Sequence, residues 1–288
     1  MPRIRNFLLY VVMALLAALG LMLGLGSTGG ASTAGASQAP GAAAAARAAI
    51  SSLKLFKIGH HSPMLRVPGP QRDINGVSQV QSTNWAGYAD TGSGFSQAAA
   101  SWTEPSASCS RHTTSYAAFW VGIDGYSSST VEQDGTIIEC YHGTAFQYSW
   151  WEMYPTNDIQ VVGSSVAAGD SITASVVRSG TSYTLAVTDS THPANSFSTN
   201  QSCSGCANSS AEWIAEAPSG SSGILPLADF GSWTESGATV TEGSTKGVIS
   251  SFTDDEITMI NSSSQVKAQP SALNGSGNAF SVTWERSS

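Results

Sequence analysis

Charge is scarce in this chain: 11% of the residues are Asp, Glu, Lys or Arg, against roughly 25% in an average soluble protein. Cations are scarcer still beyond residue 80, where five Lys or Arg stand against nineteen acids. Binding to nucleic acid or to an anionic membrane surface needs clustered cations to neutralise phosphate, so neither is an expected partner. Long stretches of 3.6-residue apolar periodicity are missing from the same region, which argues against a helical architecture. Cysteine is limited to Cys109, Cys140, Cys203 and Cys206. Cys203-Ser-Gly-Cys206 is a lone C-x-x-C with no second pair of ligands at metal spacing, a weak signal for zinc, and no βαβ pattern surrounds it to make it a redox motif. His112, His142 and His192 have neither helical nor H-x-H spacing and read as surface residues. A G-x-S-x-G elbow is absent. The Gly-Asp-Ser of "AGDSIT" (168–173) opens an alternating stretch far from any partner Asp and His near the C-terminus, and reads as a β-turn. No metal and no cofactor is expected.

What is present divides the chain in three. Residues 1–36 carry Arg3 and Arg5, an apolar run from Phe7 to about Gly26, and then Ala34-Gly35-Ala36. This is the pattern of a secretory signal peptide with a small-x-small cleavage site, an uncleaved signal anchor being the alternative for so long a run. Residues 37–80 begin with a stretch suited to a basic helix, 41–61, followed by the helix-breaking "SPMLRVPGPQRDINGVS". They read as a linker or prosegment. Residues 81–288 read as a single domain. Net charge is +6 over residues 1–80 and −14 over 81–288, so the first part is expected to pair with the second and to act as its intramolecular inhibitor. Export makes disulfides the natural state of the cysteines. Of three pairings, the short 203–206 spacing favours Cys203–Cys206 with Cys109–Cys140. An extracellular monomer is expected, or an anchored one with its domain outside.

Alternation of period two recurs in "QYSWWEMY", "SITASVV", "SYTLAVTD", "SAEWIAEA" and "AFSVTWE", separated by Gly- and Ser-rich turns. The stretch "VVRSGTSYTLAV" reads as a hairpin turning near Ser179-Gly180. Such short strands predict an all-β, antiparallel sandwich of two packed sheets, or a barrel.

The stretch "AAFWVGIDGYSSSTVEQDGTIIECYHG", with "TNWAGY" (83–88), "WWEMYP" (150–155) and "AEWIAE" (211–216), resembles the glutamic peptidases, the eqolisin family, over nearly all of residues 82–288. The resemblance implies an acid endopeptidase on a concanavalin-like β-sandwich, acting on proteins and peptides with a Gln and a Glu. The motif positions fall on Gln133, after W-V-G-I-D-G, and on Glu216, which closes E-W-I-x-E. Trp85, Trp120, Trp150, Trp151 and Trp213 are expected to offer flat apolar surface to a substrate, with at least two of the last four packed instead in the sandwich core, and Asp124 and Glu152 are expected to orient the dyad. Glu212 shares a strand face with Glu216 and is expected to be supporting or solvent-facing.

The chemistry of these residue types is consistent with that reading. Peptide hydrolysis needs a base for water, a donor for the oxyanion and an acid for the leaving amine. A carboxyl can serve first as base and then as acid, and a glutamine amide donates at any pH. The rival reading is a carbohydrate-active or lectin-like sandwich, in which Glu152 and Glu216 would be the carboxylate pair. Precursor cleavage is expected around residues 70–82.

Overall fold

The computed structural model describes residues 60–69, 72–74 and 76–288. The expected signal segment and the basic helix up to residue 59 lie outside them. In chain order the strands are β1 (Arg72–Ile74), β2 (Val77–Ser82), β3 (Trp85–Thr91), β4 (Phe95–Thr103), β5 (Ser115–Ile123), β6 (Val131–Tyr141), β7 (Thr144–Tyr154), β8 (Gln160–Val166), β9 (Ser171–Ser179), β10 (Ser182–Asp189), β11 (Phe197–Ser202), β12 (Ser210–Glu216), β13 (Ser219–Gly220), β14 (Gly223–Ile224), β15 (Ser232–Glu242), β16 (Thr245–Gly247), β17 (Thr253–Ile260), β18 (Val266–Pro270) and β19 (Ala279–Trp284). Among the described residues there is no α-helix.

Two antiparallel layers form the expected sandwich. One runs β8-β7-β6-β5-β12-β3-β17, and the other β19-β15-β4-β9-β10-β11. Strand β18 pairs with both β17 and β19 and so joins them. Alternation sets the faces. Phe119, Val121 and Ile123 of β5, with Trp213 and Ala215 of β12, point between the layers into the main core. There Phe119 stacks on Trp233 at 5.3 Å and Trp213 Nε1 donates to Ala99 O at 3.2 Å. The alternate residues, Ala118, Trp120 and Ile214, belong to a second apolar cluster on the far face of the first layer. Every residue of β5 and β12 is buried, so that second face is covered as well. By contrast β9 alternates between core and solvent, and it turns into β10 through Gly180 at φ 62°, as the hairpin reading expected.

The Gly-Asp-Ser stretch is a turn: Asp170 N donates to Ala167 O at 3.0 Å and Asp170 Oδ2 accepts from Ala167 N at 2.8 Å. Both expected disulfides are formed, Cys109–Cys140 and Cys203–Cys206. The boundary expected at 80/81 falls inside β2. That strand pairs in parallel with β17, with Val80 opposite Ile257 and Ser82 opposite Met259.

Buried acids without cations distinguish this interior. Asp90, Asp134, Glu212 and Glu235 are fully buried, and neither carboxyl oxygen of Asp90 or Glu235 makes a hydrogen bond. Among the described residues, every ion pair has a histidine as its cation. Burial pushes Asp90 up to about 9, helped by Asp254, which stands opposite it on β17. Burial likewise raises Glu132 to about 9 and Glu104 to about 7, and lifts Asp134, Glu212 and Glu235 well above the ordinary carboxylate range.

These folded-state values lie above those of the unfolded chain, where carboxyls ionise near pH 4. Between about pH 4 and 9 the fold therefore holds protons that the unfolded chain has lost. The stability contribution is complete below about pH 4 and declines as the pH rises. Replacing Asp90 by Asn should leave the denaturant midpoint nearly unchanged at pH 4 and raise it at pH 8. At about 1.4 kcal/mol per unit of pKa difference, the gap should reach several kcal/mol. Identical pH slopes for wild type and Asp90→Asn would show that Asp90 is not held protonated.

Candidate active site

Four adjacent strands bring the sequence-predicted pair onto one surface. On the second face of the first layer, Glu216 of β12 stands opposite Ala118 of β5. Gln133 of β6 stands opposite both Gly122 of β5 and Glu152 of β7. Trp120 and Trp150 flank Gly135 in the next row. The small residues make the room. A Cβ on Gly122 would lie 2.8 Å from the Trp120 ring, and one on Gly135 would lie 2.0 Å from Phe119 O. With those positions empty, Trp120 lies down along the sheet and its Nε1 donates to Glu216 Oε2 at 2.9 Å. Trp85 of β3 meets Trp120 edge-on at 4.9 Å.

The chain ahead of β2 runs through this cleft. His60 and Ser219 of β13 exchange main-chain hydrogen bonds, and Met64 N donates to Gly125 O at 3.0 Å. Asn84 clamps the stretch between them: its Oδ1 accepts from Leu65 N at 2.8 Å and its Nδ2 donates to Pro63 O at 3.2 Å. At the centre is His61, fully buried. Its N–H donates to Glu152 Oε2 at 2.9 Å, its carbonyl accepts from Gln133 Nε2 at 2.8 Å, and its Nδ1 lies 3.0 Å from Glu216 Oε2. The ring stacks on Trp150, with centroids 3.9 Å apart and planes within 16°. His60 Nδ1 meets Glu152 Oε1 at 2.8 Å. Arg66 lies over the Tyr126 ring at 5.3 Å.

The two carboxyls are tuned differently. Burial raises Glu216, and the His61 ring and the Trp120 indole N–H pull it back by favouring the charged form. Burial raises Glu152 well above the usual range, with the negative charge of Glu216 adding to the rise against the opposing His61 N–H. Glu216 Oε1 and Gln133 Oε1 are buried acceptors with no partner.

Three expectations are corrected. Trp151 occupies the opposite face of β7 from Trp150 and Glu152, packed against the main core, and Trp213 points into that same core, because side chains alternate along a strand. Glu212 is not solvent-facing: it is fully buried, since the face it shares with Glu216 is covered. Asp124 does not touch Gln133 or Glu216 through any hydrogen bond. It ends β5 at φ 73°, and its carboxylate accepts from Asn208 N at 2.7 Å, Ser209 N at 2.9 Å and Ser209 Oγ at 3.0 Å. Trp85, Trp120, Trp150 and Glu152 line the cleft. His61 and Asn84 escaped the sequence reading. The signals available were the His60-His61 doublet in a chain of five histidines and the Asn of "TNWAGY". Asp170, Asp189 and His192 lie together elsewhere, but both carboxyls already accept bonds from Ala167 N, Thr191 N, His192 N and Asn195 Nδ2, which close the turns around them.

Asp124→Ala should cost about 2–4 kcal/mol, because it frees two backbone N–H groups and leaves a non-glycine residue at positive φ. Measured as a fall in Tm of roughly 5–15 °C, the loss should be much smaller in Asp124→Asn, which keeps an acceptor.

Comparison with known proteins bears on the same residues. The family model described as the Peptidase A4 family matches residues 83–284. The chain is 29% identical over 210 residues to aspergillopepsin-2 of Aspergillus niger, covering 64% of this chain and 74% of that one. It is 32% identical over 152 residues to scytalidopepsin B of Scytalidium lignicola, covering 51% of this chain and 56% of that one. Its fold matches the crystal structure of scytalido-glutamic peptidase with a transition state analog inhibitor, at TM-score 0.60 and 24% identity over 70% of this chain and 98% of that one.

Proposed function

The chain belongs to the Peptidase A4 family, the glutamic peptidases, and from that premise we propose that it is a secreted endopeptidase that hydrolyses protein substrates in acid through Glu216 and Gln133. The observation that carries this reading is the hydrogen bond from Gln133 Nε2 to a main-chain carbonyl, that of His61, beside Glu216. A substrate carbonyl in that position would have its developing oxyanion stabilised by the same N–H. One such donor can contribute about 3–4 kcal/mol.

A water accepted by Glu216 Oε1 and Gln133 Oε1, the two unpartnered oxygens, would lose its proton to Glu216 as it attacks. Glu216 would then return that proton to the leaving amine. Glu152 acts as a positioning residue: its Oε2 lies 3.4 Å from Gln133 Nε2 and receives a main-chain N–H. The cleft grasps main-chain N–H and C=O groups, which a sugar does not have, and this favours the peptidase over the carbohydrate reading.

The segment 60–69 occupies the cleft as the intramolecular inhibitor of a precursor. Its hold comes chiefly from the buried His61 ring and from main-chain bonds, the half-exposed His60 side chain adding less. Because β2 is built into the sheet, release by cleavage falls in the stretch from Pro68 to Gly76, where Pro68, Gly69, Asp73, Ile74 and Gly76 are exposed, and not within residues 77–82.

Glu216→Gln and Gln133→Ala should each lower casein hydrolysis at acid pH by at least about 100-fold with the fold intact. Glu212→Gln should cost far less, because burial raises the proton affinity of Glu212, which an amide imitates, and Glu212 makes no hydrogen bond to the pair. A Glu216→Gln enzyme that still digests casein would overturn the assignment. The pH profile supplies a further check. The Trp120 N–H stabilises ionised Glu216, so Trp120→Phe should raise its pKa, and the acid limb of kcat/KM should move to higher pH. An unmoved acid limb would mean that Glu216 is not the base.

A further inference from the structure

Main-chain contacts explain why a peptide lies in the cleft, but they do not explain why this segment blocks it. We infer that Trp150 and Glu216 form a subsite for an imidazole, and that a histidine seated there turns a bound peptide from substrate into inhibitor. The inference rests on the proposed roles of Glu216 and Gln133.

The chemistry follows from one residue meeting every group that the reaction requires. The His61 carbonyl already lies on Gln133 Nε2, where a carbonyl about to be attacked would sit. Its N–H is held by Glu152 and its neighbour His60 pairs with Ser219. By position, then, the His61–Ser62 bond is presented for cleavage: water would add to the His61 carbonyl carbon, leaving a carboxyl on His61 and an amine on Ser62. What obstructs that step is the side chain of the same residue. A flat ring fits against Trp150 at stacking distance, and its Nδ1 reaches the oxygen of Glu216 that also accepts from Trp120. The imidazole draws the charge of Glu216 toward itself and lowers its proton affinity, which weakens the base that must activate water. It also fills the space beside the carbonyl, since it is attached to the same Cα.

A phenyl ring could make the same stack on Trp150 but could not engage Glu216. An alanine would do neither. Histidine is therefore the side chain that combines tight seating with a disabled base.

The test uses the full chain held at pH 4 until its casein hydrolysis is constant and mass spectrometry shows residues 60–67 released, with three synthetic peptides, GHHSPMLRV (residues 59–67) and its His61→Phe and His60→Ala variants, and casein as reporter. The native peptide should inhibit competitively and be cut between residues 61 and 62 at least ten times more slowly than the His61→Phe peptide, which should behave as a substrate. The His60→Ala peptide should keep inhibition within a few-fold. In the full chain, His61→Phe should cut itself between residues 61 and 62 at least ten times faster than wild type, as followed by mass spectrometry. Equal cleavage of the native and His61→Phe peptides, or no inhibition by the native one, overturns the inference. Casein hydrolysis measured in parallel with Glu216→Gln separates the two levels. If hydrolysis depends on Glu216 but the peptides behave alike, the subsite alone is wrong. If hydrolysis is absent or indifferent to Glu216, the proposed function falls and the subsite with it.

Discussion

A carboxyl buried in a protein with almost no cations has two ways to exist: it keeps its proton, or it finds N–H donors. The sandwich described here leans toward the first solution at Asp90, Asp134, Glu212 and Glu235, where burial raises the proton affinity of each carboxyl. It applies the second at Glu216, which has the Trp120 indole and the His61 ring on one oxygen. That contrast separates a structural acid from the proposed base on the same strand, four residues apart. It also couples the interior to the proposed acid working range, because the medium that favours protonated structural acids is the medium in which a glutamate can exchange protons.

The site depends equally on what the first layer leaves empty. Ala118, Gly122 and Gly135 lie between the strands that carry Glu216, Gln133 and Trp150. With larger residues at the two glycines, neighbouring backbone and the Trp120 ring would clash. The surface of the cleft is thus a floor of missing side chains bordered by tryptophans. It receives a peptide by its main chain, as the contacts of Gln133, Glu152, Asn84 and Ser219 with residues 60–65 illustrate.

Much of this was legible in the sequence where the signal is local. Alternation marked the strands, the 203–206 spacing marked a disulfide, and a hairpin turned where Gly180 predicted. The resemblance in the motifs pointed to Gln133 and Glu216. What stayed hidden depends on distant chain. Whether Glu212 meets water is decided by what covers its face, which alternation alone does not say. Trp150 and Trp151 are adjacent and chemically alike, and the register of β6 against β7 decides which enters the cleft. Strand β2 looked like linker because its partner, β17, follows it by more than a hundred and seventy residues and pairs in parallel. His61 and Glu216 are separated by 155 positions, and no periodicity connects them.

The covalent continuity between residues 60–69 and β2 has a kinetic meaning. A plug tied to its socket by so short a stretch of chain is present at an effective concentration that does not fall when the protein is diluted, commonly in the millimolar range for short links. Moderate affinity is then enough to keep the cleft closed at any protein concentration. In the proposed precursor, one cut between Pro68 and Gly76 would turn the same contact into an encounter between two molecules, and the freed peptide would diffuse away. Opening would then be irreversible by dilution, so the proposed inhibitor would act as a single-use timer that needs no loss of intrinsic affinity to let go.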